Sequence, residues 1–176
     1  MKKVIGFAGS SSKASINKQL VGHALQQLQN VETVLLDLND FELPLYSIDL
    51  EIANGIPDNA RRFLTQLQSS DGIILSLAEH NGAYSAVFKN IFDWMSRIDG
   101  KLWHNLPMLL MATSPGGRGG ASVLEIASGK FPRMDANIVA VFSLPFFGKN
   151  FSGEGILDKE LKEAFSEALT TFENNL

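Results

Sequence analysis

The chain has 176 residues, 45% of them apolar, with a formal charge of −4 and no cysteine. That is the length of one domain, residues 1–176, with enough apolar mass for a core. Without cysteine there is no disulfide, thiolate metal site or thiol nucleophile, and a mildly acidic chain with no basic block has no electrostatic footprint for nucleic acid.

The first segment, residues 3–9 (KVIGFAG), is a short apolar run after Met1-Lys2-Lys3. Its apolar core is too short for a signal peptide and reads as a buried strand. Residues 15–30 carry Ile16, Leu20, Val21, Ala24, Leu25 and Leu28 at helical spacing. Residues 32–38 (ETVLLDL) form a second strand. A long loop, residues 39–57, holds Pro44, Asn54, Gly55 and Pro57. Residues 58–69 are helical, with Ala60, Phe63, Leu64 and Leu67 on one face. Residues 72–78 (GIILSLA) are continuously apolar, the signature of a strand buried on both faces. A helix over 83–97, a strand over 107–113 (PMLLMAT), a helix over 119–130, a strand over 138–143 (IVAVFS) and a helix over 158–174 complete the chain. No run approaches the roughly 20 apolar residues of a membrane span, and a cytoplasmic location is expected.

Strand and helix alternate five times. The expected fold class is α/β, a doubly wound five-stranded parallel sheet of order 2-1-3-4-5 with helices on both faces. Ligands of such sheets lie beyond the carboxyl ends of the strands. After strand 1 comes Gly9-Ser10-Ser11-Ser12-Lys13-Ala14-Ser15-Ile16-Asn17; after strand 3, Glu79-His80-Asn81-Gly82; after strand 4, Ser114-Pro115-Gly116-Gly117-Arg118-Gly119-Gly120. After strand 5 comes an apolar stretch, Leu144-Pro145-Phe146-Phe147-Gly148.

The first loop opens a helix, where unpaired N–H groups and a partial positive charge gather. Ser10, Ser12, Ser15 and Asn17 add side-chain donors, and Lys13 and Lys18 add charge. An ordinary helix cap needs only one Ser, so the loop is expected to hold a phosphate. It lacks the Gly-Lys-Ser/Thr ending of a Walker loop and the G-x-G-x-x-G pattern. The third loop's glycines let backbone N–H groups lie against a flat ligand. Two rivals on this topology fail. A phosphoacceptor regulator needs Asp at the end of strand 1, where Ala8-Gly9 stands, and a thiol phosphatase needs Cys. An FMN-binding electron carrier with no nicotinamide site, and a nucleotide- or sugar-phosphate-handling enzyme, remain open on these residues.

The chain resembles the NADPH-dependent FMN reductases of flavodoxin-like fold, which include quinone, chromate and azo-dye reductases. Gly9, Ser10, Ser15 and Asn17 match the family's first loop, G-S-x-R-x-x-S-x-N, with Ser12 in place of its Arg and Lys13 beside it. Glu79, Asn81, Gly82, Tyr84, Lys89, Asn90, Asp93 and Trp94 match P-E-Y-N-G-S-Y-P-G-x-L-K-N-x-x-D-W, with Ala78, His80 and Ser85 as departures. Ser114, Gly116, Gly117, Gly119 and Gly120 match the Gly-rich third motif. The resemblance implies FMN, with its phosphate on Ser10, Ser12, Lys13, Ser15, Ile16 and Asn17. Its ring would lie between Glu79, His80, Asn81 and Gly82 on one side and Ser114, Pro115, Gly116 and Gly117 on the other. It further implies NADPH or NADH as hydride donor and a quinone-like or other small acceptor. The flavin carries the chemistry, so no catalytic side chain is expected, and no His pair has metal-ligand spacing. Glu79 enters through its backbone more than its side chain, and His23 and His104 read as packing and loop residues.

The 83–97 helix adds an assembly expectation. Val87, Phe88, Ile91, Phe92, Trp94, Met95 and Ile98 cover an arc of about 160°, against about 100° for a helix packed only on its own sheet. A homodimer or homotetramer through this helix is the expected consequence.

Overall fold

A computed structural model describes residues 1–176. Strands β1 (Lys2–Gly9), β2 (Val31–Leu36), β3 (Gly72–Leu77), β6 (Pro107–Thr113) and β7 (Asn137–Leu144) form one sheet of order β2-β1-β3-β6-β7, every neighbour pair parallel. This is the expected 2-1-3-4-5 winding, with a two-stranded hairpin, β4 (Glu79–His80) and β5 (Ala83–Tyr84), inserted after β3.

Side-chain alternation explains the three layers. Val4, Ile74, Leu109 and Met111 point to one face and pack with helices α1 (Ile16–Gln27) and α7 (Lys159–Glu173). Ile5, Phe7, Ile73, Leu75, Met108 and Leu110 point to the other, under α3 (Asp58–Gln68), α4 (Ala86–Ile98) and α5 (Ala121–Lys130). β3 is buried along its whole length, as its unbroken apolar run requires. The edge strand β2 is mostly open to solvent, with only Leu36 buried.

The 39–57 excursion is more ordered than a loop. A 3-10 turn covers Leu38–Asp40, and α2 (Ile48–Asn54) follows, its N-cap Ser47 accepting the Leu50 N–H at 3.1 Å. The chain after β7 forms α6 (Phe147–Asn150) and a hairpin of β8 (Phe151–Ser152) and β9 (Gly155–Ile156).

The wide apolar arc of α4 is covered largely by its own chain. Trp94 Nε1 donates to the Pro44 carbonyl at 2.8 Å, and the Tyr46 ring meets the indole edge-on at 5.0 Å. Asn90 ties the same segment down, accepting from Tyr46 N–H and donating to Pro44 O. Trp94, Phe88, Ile91, Phe92 and Met95 are all buried. The excursion itself leaves Leu45, Ile48 and Ile52 in solvent, as Leu35, Ile126, Val141, Phe146 and Leu157 are elsewhere. No helix is long and apolar enough to cross a membrane.

Candidate functional site

β1 ends at Gly9 and the chain turns through Ser10, Ser11 and Ser12 into α1. The turn is internally braced: Ser12 N–H donates to Ser10 Oγ at 3.2 Å and Ser15 N–H to the Ser12 carbonyl at 3.2 Å. Ser15 is the N-cap, its Oγ accepting the Lys18 N–H at 3.1 Å. That leaves the Ser15 hydroxyl proton free to donate outward. The Ile16 and Asn17 N–H groups in the first turn have no carbonyl a turn below them, and no acidic side chain offsets the helix charge there.

A cavity of about 300 Å³ opens on this turn. Ser10, Ser12, Ser15, Ile16, Asn17, Glu79, His80, Ser114 and Pro115 line it, joined by Ala14, Ala78 and Thr113. Residues from the ends of β1, β3 and β6 therefore meet at one place, as the winding rule requires. Asn81, Gly82, Gly116 and Gly117 stand on exposed turns beside the cavity, outside its lining.

Two predicted residues, Asn17 and Lys13, have different roles from those expected, and the Glu79 side chain has an internal task. Asn17 was expected to donate its amide to an anion, but that amide is committed to the sheet. Its Nδ2 donates to the Thr113 carbonyl at 3.2 Å, and its Oδ1 accepts from Thr113 N–H at 3.1 Å and Ser76 Oγ at 2.7 Å. The side chain is buried, so Asn17 offers only its backbone to a ligand. Lys13 lines a separate cavity of about 420 Å³ with Lys18, His23 and Phe151. Lys18 itself pairs with Asp37. Burial alone would raise the Asp37 carboxyl, but the Lys18 ammonium and the Asn39 N–H outweigh it and hold it below its ordinary range. Glu79 accepts the Val123 N–H at 3.0 Å, supplying the side-chain cap that Gly120 at the start of α5 lacks.

The second loop is the tip of the β4–β5 hairpin. Asn81 and Gly82 have φ of 52° and 76°, the left-handed pair of a two-residue type I′ turn, for which Asn-Gly is the favoured sequence. The turn presents His80, Asn81 and Gly82 to solvent at the sheet edge. Ser85, a departure from the family's motif, was not among the expected site residues. It caps α4, and its Oγ donates to the Gly9 carbonyl at 2.7 Å, tying the hairpin to the first loop. A Ser directly before an apolar helical run was the available signal.

The third loop divides its glycines by role. Gly119 and Gly120 have φ of 56° and 80°; a Cβ on Gly119 would lie 2.3 Å from Ser143 Oγ, and one on Gly120 2.6 Å from the Ala112 Cβ. These two fold the turn against the ends of β6 and β7. Gly116 has no neighbour where a Cβ would stand, so its backbone faces open space. Tyr84, on β5 of the hairpin, stacks parallel to Phe131, and its hydroxyl is buried with no hydrogen-bond partner. Burial pushes that phenol up to about 12.

The donor set fits a flavin phosphate: hydroxyls and free N–H groups at a helix start, with two glycine-bearing turns at the same edge. Residues 2–148 match the NADPH-dependent FMN reductase family. Among curated proteins, the chain is 35% identical over 120 residues to a 2-hydroxy-1,4-benzoquinone reductase from a Burkholderia species, covering 68% of this chain and 64% of that protein. It is 27% identical over 123 residues to a quinone reductase of Escherichia coli (strain K12), covering 68% of this chain and 63% of that one. The matches thus span under two thirds of these relatives' lengths. In fold it resembles the flavoenzyme NAD(P)H:(acceptor) oxidoreductase FerB from Paracoccus denitrificans, with a TM-score of 0.76 and 24% identity over 99% of this chain and 96% of that one. It also resembles an FMN-dependent NADH-azoreductase from Bacillus anthracis, solved in complex with FMN, with a TM-score of 0.64 and 14% identity over 99% of each chain. The matched span runs from β1 through the turn after β7 and so takes in all three loops around the cavity: this chain belongs to the NADPH-dependent FMN reductase family.

Proposed function

We propose that the protein is an FMN-dependent NAD(P)H oxidoreductase that reduces quinone-like or other small acceptors. The observation that carries this reading is the cavity where the braced serine turn at the start of α1 meets the ends of β3 and β6. The chemistry that FMN supplies when bound is acceptance of a hydride at N5 and delivery of two electrons to an acceptor. The chain's own residues bind and orient. Ser10, Ser12 and Ser15 hydroxyls and the Ile16 and Asn17 N–H groups take the phosphate. The Asn81-Gly82 tip and the Ser114–Gly117 turn border the flat ring, and backbone N–H groups there bond its polar edge. The Asn17 side chain holds the α1 start in place through Thr113 and Ser76, and only its backbone N–H meets the ligand.

Three observations test the reading in sequence. The purified protein with FMN should be yellow, FMN should titrate to saturation, and NADPH or NADH should bleach the colour without oxygen. Saturable FMN uptake without bleaching by either nicotinamide identifies an electron carrier instead. No uptake of FMN, with a nucleotide raising the melting temperature, identifies a nucleotide-handling protein. The same reading carries self-association, with Leu45, Ile48 and Ile52 as the apolar surface beside α4.

A further inference from the structure

Phe146, in the turn after β7, has φ of 48° and ψ of 56°. A bulky side chain seldom adopts this left-handed conformation, and such strain concentrates at ligand-binding sites. Phe146 is also 49% exposed, while most of the chain's twelve phenylalanines are buried. Strain and an apolar ring in water are two costs at one residue.

The conformation is pinned from both sides. Phe146 N–H donates to the Gly116 carbonyl and Phe147 N–H to the Ser114 carbonyl, each at 3.0 Å. Asn150 donates to Pro145 O at 2.9 Å through Nδ2 and to Phe146 O at 3.0 Å through its N–H. The turn is therefore built as one unit with the 114–117 loop. The ring lies over Gly117, where a Cβ would stand 2.7 Å from its Cζ. Phe146 does not line the 300 Å³ cavity, although Ser114 and Pro115 do. Its ring thus stands over the loop beside the cavity and not in the cavity wall. Residues 144–148 carry no charge, which suits an apolar ring better than a dinucleotide.

We propose that Phe146 is an acceptor-specificity residue, an aromatic wall against which a flat, conjugated quinoid acceptor packs as it enters over the flavin. This rests on the proposed function above and deepens it by assigning the acceptor side to the turn after β7.

The test compares Phe146→Asn, which suits the left-handed backbone and removes the ring, Phe146→Leu, which keeps apolar bulk, and Phe146→Tyr, which keeps the flat face. Each FMN-loaded protein is assayed with 1,4-naphthoquinone and with ferricyanide, a small anion with no apolar face. The ratio of kcat/KM for the quinone to that for ferricyanide should fall about tenfold in the Asn and Leu variants, the scale of one aromatic contact. The loss should sit in the quinone KM, and the Tyr variant should recover the ratio. FMN affinity, read by fluorescence quenching, should stay within about twofold. An unchanged ratio overturns the proposal. So does a joint fall in FMN affinity and in both acceptors, which would make the ring a prop for the 114–117 loop. Failure of the unsubstituted protein to bind FMN would sink the underlying function as well, and is seen before any variant is compared.

Discussion

The side-chain amide of Asn17 grips the backbone of Thr113 at two points, donating to its carbonyl at 3.2 Å and accepting its N–H at 3.1 Å. Ser76 Oγ donates to the same Asn17 oxygen at 2.7 Å, and Thr113 Oγ1 donates to the Leu144 carbonyl at 2.7 Å. One buried network thus links α1 to β3, β6 and β7 beneath the candidate phosphate site.

Asn17→Leu should leave the Thr113 N–H and C=O and the Ser76 hydroxyl without a partner in the core. A buried polar group left unsatisfied costs about 1–3 kcal/mol. Three such groups together cost at least about 3 kcal/mol, and at about 2–4 °C per kcal/mol for a chain of this size the melting temperature should fall by at least about 6 °C. FMN and riboflavin affinities should weaken together, because the whole helix start shifts. Calorimetry and flavin titrations check both.

Ser15→Ala should behave differently. Loss of the cap costs about 1 kcal/mol, a small drop in melting temperature. Loss of one hydrogen bond to a charged phosphate should weaken FMN by about tenfold or more. Riboflavin, which has no phosphate, should lose several-fold less. Equal losses for the two ligands would place the phosphate elsewhere.

The glycines of the third loop should separate by stability. Gly119→Ala meets a left-handed backbone and Ser143 Oγ, and should cost about 2 kcal/mol. Gly116→Ala enters open space and should stay within about 0.5 kcal/mol. Urea midpoints of the two variants decide the matter.

Tyr84 links stability to alkaline pH. Its phenol is raised to about 12, above the ordinary value of about 10. Between those values the unfolded chain loses the proton while the folded one keeps it. The group's contribution is therefore complete below about pH 10 and is lost as pH rises toward about 12. Tyr84→Phe should flatten that part of the profile. Since the hydroxyl has no partner, the variant should be no less stable at pH 7. On the acid side the sign reverses for Asp37, held below its ordinary range: its contribution is present above about pH 4 and is lost as pH falls through its lowered value.

Self-association should depend on the excursion rather than on the α4 arc alone. Light scattering after size exclusion should show a species larger than the 19.2 kDa chain. Ile52→Glu, at a side chain 78% exposed, should shift it toward the monomer without lowering the melting temperature. A 19.2 kDa species for the unsubstituted protein would end this reading.

The main strands and helices were readable because each lays its apolar residues at a fixed local period. Ile73, Leu75 and Leu77 on one face and Ile74 on the other already describe a strand covered on both sides. The gathering of the three polar loops was readable too, since a wound parallel sheet brings its strand ends to one rim. The short hairpins and the α2 turn were missed because two to seven residues leave too few repeats for periodicity to register. Asn81-Gly82 was the local sign of the first hairpin.

The sequence by itself determined the layers, the winding, the rim where the three polar loops gather and the family. Only the tertiary structure decided which polar atoms are spent internally and which line the cavity. Asn17 is consumed by a residue 96 positions away, Glu79 by one 44 away, and the apolar face of α4 is closed by Pro44, 50 positions from Trp94. Periodicity is a property of neighbours along the chain, whereas the partner of a buried hydrogen-bonding group is set by which distant segments the sheet brings side by side.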